Sequence, residues 1–227
     1  MNAGPEYYFE QLYPLQDEAL RVIGECDTEF YLTGGTAVSR GYLNHRFSDD
    51  LDLFVNYATA RDTDPRYRMW CDEIIAGLGK YDGWTVRVGM RQPYFSRVFV
   101  TRANVELKIE LVNDVPYRVG EPAIHPLLGR IDTPENILSN KITALRDRDV
   151  PRDLADVWGL VKAFNLSIEA AITGASSKAA GTYHAALARR FCTATQDDWA
   201  AIRWIEPPAV ETYLAELMAI GEALLLP

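Results

Sequence analysis

The stretch Tyr31-Leu-Thr-Gly-Gly-Thr-Ala-Val-Ser-Arg-Gly-Tyr-Leu-Asn-His-Arg-Phe-Ser-Asp-Asp-Leu-Asp-Leu-Phe54 constrains the fold more than any other part of the chain. A short apolar run ends at Gly34-Gly35, a helical pattern carrying Ala37, Val38 and Leu43 follows, and a second apolar run starts at Leu51. The order is strand, tight turn, helix, strand. Successive strand side chains point to opposite faces, so Asp50 and Asp52 share one face while Leu51 and Leu53 take the other. Two carboxylates brought to one place repel each other when ionised unless a cation sits between them. Oxygen-only ligation with open positions suits Mg²⁺ (or Mn²⁺) bound to substrate phosphates. Upstream, the small residues Gly34-Gly35-Thr36 let backbone N–H groups approach an anion at the helix start. The spacing is neither GxxxxGK[ST] nor GxGxxG, which leaves the P-loop and dinucleotide-binding readings without support.

Beyond this stretch the pattern divides the chain. Up to about Asp114 helix and strand alternate, and beyond Thr133 only helical periodicity remains, broken by Pro and Gly. The expected fold is α/β (α+β), a mixed sheet flanked by helices in residues 1–130, followed by a helical lobe in 131–227. Phe9, Leu12, Leu15, Leu20 and Ile23 fit an opening helix that Pro14 interrupts. Residues 29–33 and 51–57 read as strands and 65–78 as a helix. The stretches from Trp84, Tyr94 and Asn104 read as three strands whose connections are too short for crossovers, so they pair antiparallel. Residues 115–132, with Pro116, Pro122 and Pro126, read as an ordered linker. Thr133-Pro134-Glu135 is a helix start, and Pro151, Ser167 and Pro207-Pro208 mark others.

Two further places carry chemistry. The run Val105-Glu-Leu-Lys-Ile-Glu-Leu111 alternates, putting Glu106, Lys108 and Glu110 on one strand face. This is either a solvated charged face or a source of a third carboxylate, with Lys108 available to a phosphate. In the helical lobe Leu138, Lys141, Ile142 and Leu145 fall near one stripe, so Lys141 stands where a core residue is expected. It either snorkels to solvent or serves a site.

Composition removes several classes. The net charge is −9 over 227 residues, which gives no global positive field for coating nucleic acid. Local clusters remain, Arg87, Arg91, Arg97 and Arg102 in one stretch, Lys141, Arg146, Arg148 and Arg152 in another. The three cysteines and three histidines are scattered, so neither a disulfide framework nor a zinc site is indicated and a metal would be held by oxygen. No apolar run approaches the roughly 18 residues of a membrane span, and a cytoplasmic protein is expected.

The pattern GGT, short helix, HRxSxDxDLF resembles the nucleotidyltransferase-fold toxins of the AbiEii/AbiGii type, relatives of polymerase-beta-like minimal nucleotidyltransferases and of MenT-type toxins. The likeness is specific over Gly34 to Phe54 and recurs more weakly at Lys108 to Val112 and Lys141 to Asp156. It implies an NTP donor, Mg²⁺, transfer to the acceptor end of tRNA, and a separately encoded antitoxin. It also implies a third carboxylate near the first two, for which Glu110 is the candidate although relatives often carry Asp. Lys141 takes the place of a lysine thought to contact nucleotide phosphate, and Arg148, Arg152, Asp153 and Asp156 continue an RDxxD-like motif. Asp156 would orient Lys141 or receive the nucleotide.

The expected site therefore comprises Asp50, Asp52 and Glu110 as metal ligands and Lys141 as the fourth catalytic residue. Gly34, Gly35, Thr36, Arg46, Ser48, Lys141 and Asp156 are expected around the nucleotide. Arg46 would contact the triphosphate or a nearby acid, while His45 reads as a packed, hydrogen-bonded residue rather than a base. Ser48, two positions before Asp50, would reach a phosphate, and its phosphorylation would add about two negative charges beside the metal ligands. The same chemistry on an antibiotic-like small molecule or a protein hydroxyl is one alternative, favoured by the acidic charge. A non-catalytic partner-binding protein on the same fold is another, and it predicts that Asp50 or Asp52 can be lost without effect.

Overall fold

A mixed seven-stranded sheet carries the first part of the chain, in a computed structural model that describes residues 4–57, 65–178 and 184–225. Its strands are β1 (Tyr31–Thr33), β2 (Leu51–Val55), β3 (Trp84–Arg91), β4 (Phe95–Arg102), β5 (Val105–Asn113), β6 (Ala123–His125) and β7 (Gly129–Ile131). They run in the order β3-β4-β5-β2-β1-β7-β6. The β3-β4 and β4-β5 pairs are antiparallel, as their short connections require, whereas β2 lies parallel to β5 and β1 parallel to β7. The mixed α/β class expected from the sequence is the class observed.

Two compact units make up the chain. One comprises Met1–Ala37 with Ser48–Asp132, the other Val38–Phe47 with Thr133–Pro227. In the first, the apolar face of the sheet (Leu51, Leu53 and Val55 of β2; Leu107, Ile109 and Leu111 of β5) is buried. Leu15, Leu20 and Ile23 from helix α2 (Tyr13–Gly24) and Ile74 and Leu78 from α4 (Pro65–Gly79) are buried with it. A short helix α1 (Pro5–Tyr7) and a π-helical stretch, Tyr8–Leu12, lead into α2. Pro14 does not break the helix: it lies in the first turn of α2, where a missing N–H costs little, and the wider π turn before it absorbs the change.

Residues 115–132, expected as a linker, hold β6 and β7 instead. Their prolines do not oppose this, because Pro122 precedes β6 and Pro126 sits in the turn between the strands, where no ladder N–H is needed. Thr33 at the end of β1 donates a buried hydrogen bond of 2.7 Å to Asp132 just past β7, which closes that edge of the parallel pair.

The second unit is helical. Helices α5 (Pro134–Asp147), α6 (Pro151–Phe164), α7 (Ile168–Lys178), α8 (His184–Cys192), α9 (Gln196–Ala201) and α10 (Val210–Ala223) bury Leu138, Ile142, Leu154, Leu160, Phe191, Tyr213 and Leu217. Trp158, Trp204 and Tyr213 meet edge-on, with centroids 5.3 to 6.2 Å apart. The Thr133 side chain accepts the Asn136 N–H and caps α5, and Pro134 occupies the first helical turn, as the sequence suggests. Among the described residues, no helix is long and apolar enough to cross a membrane.

Candidate active site

In the sheet unit, the parallel register of β2 and β5 sets Asp52 opposite Glu110 and Leu51 opposite Ile109. One step earlier, Asp50 falls beside Lys108, whose ammonium is 2.9 Å from Asp50 Oδ2 and 3.3 Å from Glu110 Oε1. From the next strand, Arg97 is paired with Glu110 in the antiparallel register, and its guanidinium reaches Oε1 at 2.7 Å. Asp50, Asp52 and Glu110 thus share a strand face with two cations. Burial opposes the charge on Lys108, but hydrogen bonding and attraction from Asp50 and Glu110 outweigh it and raise its ammonium above the ordinary lysine range.

The turn after β1 approaches the same face. Gly34 has φ +68°, a conformation L side chains rarely adopt, and a Cβ there would collide with the Asp52 carboxylate. Gly34, Gly35 and Thr36 form the short helix α3 (Gly34–Thr36) before a π-helical stretch, Ala37–Leu43. Thr36 Oγ1 donates to Ser48 Oγ or to the Asp50 carbonyl, 2.9 and 2.5 Å away, and so ties the turn to the chain entering β2. Gln16 Nε2 donates to the carbonyls of Ser48 and Asp49, the Tyr8 hydroxyl donates to Asp49, and the Tyr13 hydroxyl accepts the Ser48 N–H. Ser48 is only 7% exposed, and its hydroxyl lies 2.9 Å from Thr36 Oγ1 within this scaffold.

Among the described residues, no group of three His, Cys, Asp or Glu side chains converges as a ready metal cage. The donor set nevertheless suits a hard cation: three carboxylates on neighbouring parallel strands, with a positive group already lodged against two of them.

Arg46, Lys141 and Asp156 come together in the helical unit. Asp156 is fully buried and receives Arg46 through two 2.7 Å contacts, Lys141 Nζ at 2.6 Å and His45 Nε2 at 3.0 Å. Lys141 also donates to Asp153 at 2.8 Å, and Arg148 grips Asp153 from the other side. Burial alone would push both carboxyls up; for Asp156, Arg46 and Lys141 outweigh it and hold it well below the usual carboxylate range. Lys141 and Arg148 depress Asp153 in the same way. His45 is held below its ordinary pKa by burial, against the pull of Asp156. Of the two partners open to Arg46, the structure shows an acid.

The segment bearing His45 and Arg46 is pinned within this unit by an antiparallel bridge from Arg46 to Trp204 and by hydrogen bonds from Phe47 N–H to the Arg203 carbonyl and from Ile205 N–H to the His45 carbonyl. Sequence reasoning noted Arg97 only as one member of a basic cluster. Its two-residue spacing from Phe95 and Phe99 along β4 was the available signal that it lies on the face opposite the buried Ser96, Val98 and Val100, but the partner Glu110 follows only from the register.

Among solved structures, a Helicobacter pylori protein provisionally assigned as a nucleotidyltransferase superposes with a TM-score of 0.64 at 20% identity, covering 95% of this chain and 95% of that one. JHP933 from the same organism gives 0.64 at 19% identity over 94% and 92%. MenT4, a nucleotidyltransferase toxin from Mycobacterium tuberculosis, gives 0.63 at 16% over 94% and 82%. These likenesses speak for the fold. Among curated proteins, none matches. The family model described as "Nucleotidyl transferase AbiEii toxin, Type IV TA system" matches residues 19–214, most of the chain, and the protein belongs to that family.

Proposed function

We propose that this protein transfers a nucleotide from an NTP to an acceptor hydroxyl, that of the 3′ end of tRNA, as a toxin restrained by a separately encoded antitoxin. The observation that carries the chemistry is Asp52 of β2 directly opposite Glu110, with Asp50 just before the strand and joined to Glu110 through Lys108, beside a turn whose Gly34 has no side chain to meet Asp52. Membership of a nucleotidyl transferase toxin family supports the donor and the toxic role.

In this reading Asp50, Asp52 and Glu110 would hold Mg²⁺ or Mn²⁺, which would lower the pKa of the acceptor hydroxyl and offset charge as that oxygen bonds to the α-phosphorus and pyrophosphate leaves. Gly34, Gly35 and Thr36 present backbone N–H groups to the triphosphate, and Thr36 and Ser48 fix the strand that bears Asp50. Arg97 and Lys108 supply positive charge on the carboxylate face. The resemblance gives Lys141 to nucleotide phosphate; within the helical unit its ammonium is held by Asp153 and Asp156. No side chain is required to form a covalent intermediate.

The test is incubation of the purified protein with Mg²⁺, each labelled NTP in turn and total tRNA, next to an Asp52→Ala control. Label on tRNA that vanishes with the variant supports the reading and names the base. The net charge of −9 favours a second acceptor class, a cationic small molecule. NTP turnover that depends on Asp52 but leaves tRNA unlabelled moves the assignment to a small-molecule or protein hydroxyl. Absence of NTP turnover, together with toxicity that survives loss of Asp52, points instead to a non-catalytic partner-binding role.

A further inference from the structure

From the ion pairs on the carboxylate face we infer that Lys108 is a built-in counter-cation of Asp50 and Glu110, with which a divalent cation has to compete in order to bind these carboxylates. The inference rests on the nucleotidyl transfer reading above.

Three features point to this. The first is position: Lys108 is two residues before Glu110 on β5, Asp50 immediately precedes β2, and one ammonium serves both carboxylates. A surface lysine with a single acidic neighbour could leave at little cost, whereas this one links two strands. The second is charge. Asp50, Asp52 and Glu110 against Lys108 and Arg97 leave the face one unit negative, where three unaccompanied carboxylates on strands roughly 4.8 Å apart would repel strongly. The ammonium therefore keeps the acids aligned until substrate arrives.

The third is division of labour. Arg97 contacts Glu110 from β4, so Glu110 stays anchored when Lys108 departs, while the Lys108 contact with Asp50 is the one a divalent cation has to replace. At 31% exposure the Lys108 side chain can swing outward without disturbing the core behind β5. Its charge is then released toward the phosphates that accompany the cation. Lys108 is thus a positioning residue, and metal entry at this site is an exchange of cations rather than the filling of a vacancy.

Direct binding of Mn²⁺ alone, followed by the loss of its free-ion electron paramagnetic resonance signal, separates the possibilities with full-length, chelator-stripped protein. Lys108→Met should bind Mn²⁺ about five- to tenfold more tightly than the unaltered chain, the gain expected from removing one partly exposed competing charge. Lys108→Arg should restore near-original affinity, and Asp50→Asn should weaken binding in either background. Should the Met variant fail to fold, Lys108→Gln is read in the same way. Affinity that is unchanged or weaker in Lys108→Met, while Asp50→Asn still abolishes binding, overturns the inference and leaves the nucleotidyl transfer reading standing. Absence of Mn²⁺ binding with and without an added NTP, in the unaltered chain as well as the variants, sinks both.

Discussion

Gly34 shows what a single residue contributes to this site. Its left-handed backbone and the absence of a Cβ allow the turn after β1 to lie against the Asp52 carboxylate. Gly34→Ala has to strain the backbone and displace that carboxylate together. The strain should cost about 1 kcal/mol of stability, while nucleotidyl transfer should fall about a hundredfold or more, because an ångström-scale misplacement of a catalytic group is that expensive. Urea unfolding set beside turnover checks this, and a loss of activity no larger than the loss of folded protein would refute it. The glycine pair and the Asp-x-Asp alternation were legible because both are local in sequence. The pairing of Arg46 and His45 with Asp156 was not, since about 110 residues separate the partners and no periodicity links them. The bridge from Lys108 to Asp50 was hidden for a related reason: it depends on the register of two strands, and register is decided by the whole buried face rather than by either strand alone.

At the scale of elements, boundaries set by caps were the readable ones. Thr133 caps α5 as its sequence announces, and α5 carries Lys141 two turns further on. Thr133→Ala should therefore lower stability by about 1 kcal/mol. With Lys141 two turns inside the helix, beyond the end that frays, the apparent KM for NTP should change little. Chemical denaturation and initial-rate kinetics give the two numbers, and an unchanged denaturation midpoint would show that the cap is redundant. The hairpin of β3 and β4 and its continuation into β5 followed from short connections, but the order of the sheet did not. Joining β2 to β5 in parallel passes over α4 and the hairpin, and nothing in the intervening sequence specifies which edge the hairpin takes. The three-residue strands β6 and β7 escaped notice because they are too short to show alternation and lie among prolines.

For the molecule as a whole, the helical unit is made of two stretches of chain, Val38–Phe47 and Thr133–Pro227, a composition that a linear division near residue 130 does not express. Besides apolar contacts such as Tyr42 against Phe164, a buried ionic cluster ties Val38–Phe47 to the rest of this unit, and such a cluster makes stability depend on pH. His45 has a folded pKa below its unfolded value of about 6.5, so the unfolded chain binds a proton that the folded chain refuses. Its contribution is fully present above about pH 6.5 and is lost as pH falls toward the depressed folded value. The facing groups are Asp156, Arg46 and Lys141, and only Asp156 favours the imidazolium. Asp153 and Asp156 are also depressed, so their contribution is complete above about pH 4 and erodes only below that, as pH falls through their folded values. Two separate phases of acid destabilisation follow. Between about pH 6.5 and 5 the unaltered protein should lose melting temperature while His45→Gln, which keeps a donor toward Asp156 without titrating, changes much less. Below about pH 4 both should unfold together. Melting curves recorded across this range decide the matter: an equal slope for the two proteins between pH 6.5 and 5 would mean that His45 is not the group that makes the fold acid-sensitive, and the first phase would then belong to groups outside the cluster.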